Sequence, residues 1–222
     1  MKILKFVLAL VLIILLAVSC QRVMERNSRS DSRRAQETLL GMESYAAAAT
    51  LEIVSNRGRT QYEIRQFYKM SGEYRIEFLA PGAVSGNVIV NDNRMVSQYN
   101  PRIEGRITLD VPETRDRLES LLGSFVKNFL NSEETSVEIT TLDSTEVTVL
   151  EVQIPGEHPY MAVQRVWLNN ETHKPIRMIV FDPDGIERII VTYQEFEYNV
   201  VLEDEVFRLE AVPIAQNAEL AR

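Results

Sequence analysis

Few side chains in this sequence could do covalent or metal chemistry, and Cys20 is the most telling of them. It is the single cysteine, so its thiol has no intramolecular disulfide partner and is available as an acyl acceptor. The two histidines, His158 and His173, stand beside Pro and Lys in loop-like sequence, and neither has a partner at metal-ligand spacing. Asp182-Pro-Asp-Gly185 opens like a calcium loop but fails at once: Ile186 occupies the next ligand position and Gly185 comes two places early. A hairpin turn is the better reading. Glu133-Glu134 and Glu203-Asp204-Glu205 are charged runs of the kind that solvate loops, although carboxylates paired by the fold are not excluded by sequence. No GxSxG motif and no Gly-rich phosphate loop is present, and Asn170-Glu-Thr172 is a formal glycosylation sequon without further support. The pattern favours binding over catalysis: no enzyme activity, no cofactor and no metal site are expected.

What surrounds Cys20 gives its thiol a purpose. Lys2 and Lys5 form a basic start, Phe6 to Val18 contains no polar residue, and Leu16-Ala17-Val18-Ser19 leads directly into Cys20. This is the layout of a secretory signal. The apolar run of about thirteen residues is short of the ~20 a spanning helix needs. Leu-Ala-Val-Ser-Cys resembles the bacterial lipobox, with Ala17 where Leu is usual. In that motif the cysteine sulfur receives a diacylglycerol and becomes the first residue of the mature chain. Lipidation at Cys20, with a palmitate-type acyl anchor, and an extracytoplasmic location on a bacterial cell membrane are therefore expected. The expected organisation is a lipoprotein signal peptide at 1–19, the lipidated cysteine and a flexible Ser/Arg-rich tether at 20–34, one domain at 35–210, and a tail at 211–222.

The formal charge is −8. Removing residues 1–19 takes away Lys2 and Lys5, leaving 22 basic against 32 acidic side chains and a charge of −10. A chain this acidic carries no electrostatic footprint for nucleic acid, and the lipid rather than charge must supply the anchoring.

The elements that would position any site are mostly strands. Leu51 and Ile53 before Asn56-Arg57-Gly58, then Thr60–Met70, Tyr74–Leu79, Val88–Val90 and Met95–Tyr99, all read as extended, with turns at Ser71-Gly72, Pro81-Gly82 and Asn91-Asp92-Asn93. Val137–Thr141, Glu146–Ile154, Val163–Leu168, Ile176–Phe181, Glu187–Tyr198 and a short run at Val206–Leu209 follow, for roughly ten strands. Residues 35–44 read as a short helix on Ala35, Leu39 and Met42. Glu113–Leu130 reads as a second, because Leu118, Leu121, Leu122, Phe125, Val126, Phe129 and Leu130 recur at i, i+3, i+4, i+7. So regular a stripe must lie on the apolar face of a sheet.

Tyr74-Arg-Ile-Glu-Phe-Leu-Ala-Pro81, Val88-Ile-Val-Asn-Asp92 and Tyr99-Asn-Pro101, followed by Val166-Trp-Leu168, Lys174-Pro-Ile176, Asp182-Pro-Asp-Gly185, Val191-Thr-Tyr193 and Phe196, resemble the ordered signature of LolA-like domains over most of residues 35–210. The resemblance implies an α+β, mainly β fold: an open, curved antiparallel half-barrel with helices plugging its concave face. With the lipobox, it is most similar to the GerS family of germination and sporulation lipoproteins. That likeness implies a non-enzymatic partner of a CwlD-like cell-wall amidase in the modification of spore-cortex peptidoglycan. No motif fixes partner-contact residues or an oligomeric state. The alternative is a LolA/LolB-type carrier or receptor holding lipid or lipoprotein acyl chains in the concave face. A third reading, an envelope-stress sensor of the same fold, would need a second domain.

Overall fold

The computed structural model describes residues 26–110 and 118–209. Its frame is one 11-stranded sheet in which every neighbouring pair is antiparallel. A first meander runs outward through β1 (Ser44–Ser55), β2 (Gly58–Lys69), β3 (Tyr74–Ala80), β4 (Val88–Asn91), β5 (Met95–Asn100) and β6 (Gly105–Asp110). A second runs inward from the opposite edge through β7 (Thr135–Leu142), β8 (Thr145–Gln153), β9 (Val163–Asn169), β10 (Pro175–Phe181) and β11 (Glu187–Tyr198). The two meet where β11 pairs with β1, leaving β6 and β7 as the edges of the sheet.

The hairpins follow from turn chemistry. Gly58 (φ 133°) and Gly72 (φ 124°) supply left-handed backbone after β1 and β2. Asn93 (φ 67°) does so between β4 and β5, while the Asn91 side chain accepts its N–H. Asp143 and Ser144 (φ 48° and 68°) make the two-residue loop between β7 and β8.

Because β6 and β7 lie at opposite edges, the connection between them has to cross the sheet, a distance of about 48 Å at ~4.8 Å per strand spacing if the sheet were flat. That connection contains α2 (Leu122–Asn131), which packs on one face, here the inner face, together with α1 (residues 26–40). The strands alternate accordingly: Tyr45, Ile64, Ile76, Leu150, Val166, Leu168, Met178 and Val191 point inward into one core with Leu39, Leu121, Leu122, Phe125 and Val126. α2 approaches so closely that a Cβ at Gly123 would lie 1.9 Å from the Tyr68 ring.

The structure departs from the sequence reading in five places. Residues 26–34, expected in the flexible tether, are helical and continuous with α1, with Ser32 and Ala35 buried. The Arg33–Glu37 ion pair (2.9 Å) and the Gln36–Ser32 hydrogen bond are i, i+4 links that a polar stretch makes without an apolar stripe. α1 ends at residue 40, and β1 begins where helix was expected to residue 44. Within Glu113–Leu130, residues 111–117 lie outside the described residues and helix begins only at Leu122; Gln164 and Gln66 donate their side-chain amides to the Glu119 and Ser120 carbonyls, so these carbonyls are occupied from the sheet. Leu130 is exposed, not part of the buried stripe. The segment at 206–209 belongs to a short 3-10 helix, Asp204–Phe207, and β6 raises the strand count to eleven. The signal segment 1–19, Cys20 and the tail 211–222 lie outside the described residues.

Candidate partner-binding surface

The centre of the inner face is filled. Leu121, Leu122, Phe125 and Val126 are fully buried against the sheet, and Tyr45 stacks on Tyr68 (5.6 Å) and Phe196 (5.1 Å) beneath them. A polar set fixes the helix in register. The Tyr45 hydroxyl accepts from the Leu122 N–H (3.2 Å) and donates to Gln66 Oε1 (3.1 Å), and Asn128 donates to Gln164 Oε1 (2.7 Å) and Glu119 Oε2 (3.1 Å). Burial, with the Tyr193 and Tyr68 rings nearby, pushes the Tyr45 phenol well above its usual pKa, so it stays a neutral hydrogen-bonding group. Where an acyl chain would have to lie, side chains already stand. Open depressions occur at the β7–β9 end of the described surface. One of them, of about 540 Å³, lies between the 153–162 loop and Pro183.

The outer face carries two features that sequence reasoning missed. On the first meander, Arg75 and Glu77 are buried and paired at 2.7 Å, with Arg65 3.9 Å from the second Glu77 oxygen. The segment after β11 covers them. Arg75 donates to the Val206 and Arg208 carbonyls (both 3.3 Å), Phe207 is buried, and Lys69 pairs with Asp204 (2.8 Å) while lying over the Phe207 ring. The Lys69 ammonium holds the Asp204 carboxyl below its usual range. On the second meander, Val147, Val149, Trp167 and Ile179 form a separate apolar cluster, and Arg177 stacks on Trp167 at 4.4 Å. The signal for the first feature was Tyr74-Arg-Ile-Glu-Phe itself, whose alternation puts Arg75 and Glu77 opposite Ile76. Nothing local reveals that residues 204–208 cover that side.

The sequence-derived candidates do not converge. His158 and His173 stay in separate loops, at the 153–162 segment and at the turn before β10; among the described residues no group of three His, Cys, Asp or Glu could hold a metal ion. Asp182 is a turn residue: its carboxylate accepts from the Asp184 and Ile186 N–H groups (3.0 and 2.9 Å) and from Arg188 Nε (2.7 Å). Burial opposes its ionisation, but the Ile186 N–H, the Arg188 guanidinium and the Asp184 N–H outweigh it and hold the carboxyl below its usual range. Glu133-Glu134 precede β7 and are exposed, and within Glu203-Asp204-Glu205 it is Asp204 that pairs with Lys69.

The surface best shaped to meet another chain is the β7 edge. All of Thr135–Thr141 is exposed, and its ladder to β8 runs from Thr135–Val152 to Leu142–Thr145 without a register shift. Val137 and Ile139 share the inward-pointing side yet are 48% and 37% exposed. An uninterrupted free edge of this length presents a row of unpaired main-chain groups.

Among solved structures, an uncharacterized conserved protein from Thermus thermophilus has the same fold (16% identity, TM-score 0.50, covering 83% of this chain and 96% of that one). A chain of the CwlD amidase–GerS lipoprotein complex from Clostridioides difficile is 30% identical over 75% of this chain and 92% of that one, with a TM-score of 0.48. A LolA superfamily protein from Nitrosomonas europaea is 14% identical (TM-score 0.44, covering 82% and 97%). No curated protein matches the chain. The architecture is an open antiparallel sheet with helices on its inner face, the fold it shares with the Thermus thermophilus protein. The family model for YdcC-like sporulation proteins matches residues 1–207, and the chain belongs to that family.

Proposed function

We propose that this chain is a lipid-anchored, non-enzymatic partner of a cell-wall amidase, working outside the cytoplasmic membrane on the spore-cortex peptidoglycan that germination requires. The observation that carries this reading is the filled centre of the inner face. A carrier must leave room for an acyl chain, whereas here Leu122, Phe125 and Val126 occupy that space. Membership of a sporulation family supplies the setting. The 30% sequence identity to a chain of the CwlD–GerS complex, rather than the superposition, supports an amidase as the partner. Cys20 supplies the anchor through a thioether-linked diacylglycerol, and no side chain of this protein need enter the amidase reaction.

The test combines extraction and activity. The full chain, purified in detergent, is extracted with organic solvent and the extract examined by mass spectrometry for lipid beyond the covalent anchor; the chain is then mixed with the sporulation amidase of the same organism. The expected outcome is no stoichiometric lipid, a stable complex, and faster hydrolysis of cortex-type peptidoglycan. A chain that carries lipid and leaves the amidase unaffected would make it a carrier. For the anchor, a fatty-acid label should mark the wild type and not Cys20→Ala.

A further inference from the structure

Residues 128–164 contain Glu133, Glu134, Glu138, Asp143, Glu146, Glu151 and Glu157 and not one Lys or Arg. This stretch is the β7–β8 hairpin with its flanks, so the negative charge is concentrated along the open edge. Glu151 is taken up by Arg165 and Glu146 by Asn170. Among the described residues Glu133, Glu134, Glu138 and Asp143 have no ion-pair partner. Edge strands of native proteins are usually blunted by lysine, proline, a bulge or an overlying loop. β7 has no lysine or proline and no bulge, and offers Val137 and Ile139 on one side and Glu138 on the other.

We infer that the β7 edge is a strand-addition site for an extended basic segment of the amidase partner, one that alternates apolar residues with Lys or Arg. The occupant follows from the edge. Main-chain groups of the incoming strand pair with those β7 leaves free, and its apolar side chains lie beside Val137 and Ile139. Period-2 alternation sends its cations to the opposite side, beside Glu138, with Glu133, Glu134 and Asp143 at the two ends. A second copy of this chain is a poor occupant, because antiparallel β7–β7 pairing brings acidic strands together. The inference rests on the amidase reading only for the identity of the partner; the edge chemistry can be tested without it.

Two arms separate these. In the first, the full chain in detergent is titrated with fluorescent, end-capped (Val-Lys)4 and (Val-Glu)4 peptides. The lysine peptide should bind, weaken as salt rises, and lose about tenfold or more in affinity to the Glu138→Lys/Ile139→Lys variant. The glutamate peptide should not bind. Thermal melts of wild type and variant should coincide, since both positions are exposed. Equal binding of both peptides, binding of neither, or binding indifferent to the variant overturns the edge proposal. In the second arm the amidase replaces the peptide. Loss of the complex in the variant supports the site. An amidase that binds wild type and variant alike keeps the function and removes the β7 edge from it. An amidase that binds neither, while the lysine peptide still discriminates, rejects the amidase reading and leaves the edge site standing for another basic strand. Self-association of the chain that disappears in the variant would give the edge to a second copy and overturn the proposal.

Discussion

The inner face and the β7 edge are made of the same residue types and end in opposite states. Leu150 and Val152 of β8 are buried, whereas Val137 and Ile139, one strand away, face solvent. Strand propensity is equal on both sides of that boundary. What differs is coverage: α2 lies against β8, and the strand beyond it is left uncovered. An apolar residue in an alternating strand therefore states which side it points to, while topology decides whether anything stands there to bury it.

The contrast can be broken most severely from the inside. Phe125→Ala should cost about 3–5 kcal/mol, the range for emptying a packed aromatic site, and should appear as a lower urea midpoint. If it melts like wild type, α2 is a movable lid and the two regions differ little in coverage. Next in size is Arg75→Ala, which leaves the buried Glu77 carboxylate with only Arg65 at 3.9 Å and removes the tie to residues 206 and 208. A loss of roughly 3 kcal/mol is expected, with proteolysis now reaching the C-terminal segment; a double variant Arg75→Met/Glu77→Leu should recover much of it.

A smaller effect is expected at the β10–β11 turn. The Asp182 carboxyl titrates lower when folded than its ordinary value of 3.8. Its ionised form thus contributes stability that is complete above that ordinary value and is lost as the pH falls through the lower, folded one. Asp182→Asn should be less stable than wild type at pH 7, with the gap narrowing below pH 4 in urea titrations. A gap constant across that window would mean that the carboxylate charge contributes nothing there. Smallest of all, Val137→Lys should shift stability by no more than ~0.5 kcal/mol, since the site is already wet. A larger loss would show that the edge is covered in solution.

Much of the inner face could be read from period alone. Tyr74, Ile76 and Phe78 share a side, and the spacing of Leu122, Phe125, Val126 and Phe129 marked the helix on the same face of the sheet, because each pattern reports a local geometry. The turns at Asn56-Arg57-Gly58 and Asp182-Pro-Asp-Gly185 were legible for the same reason. The first part of α1 was not, since Ser32 fills an apolar position and the rest of that stretch is Arg, Asn, Ser and Asp. Arg75 and Glu77 alternate with Ile76 onto the other side of β3, but their burial depends on residues more than a hundred positions later. The openness of β7 was equally hidden, because Thr135–Leu142 looks like any strand until the order of the sheet makes it the last one.

One pairing in that order stands apart. Every other ladder joins strands adjacent in the chain, so each can zip from its own turn, but β1 meets β11 only after the whole domain exists, with Tyr45 opposite Tyr198. The two meanders can therefore assemble as separate half-sheets, and the step that unites them carries the largest loop-closure cost and the slowest search. Until then β1 presents an edge whose first half holds Ala46-Ala47-Ala48-Ala49, residues that template strands weakly. The same alanine run, where the finished seam carries its register shift between Ala48 and Ala49, also keeps the unfinished chain from recruiting the wrong strand.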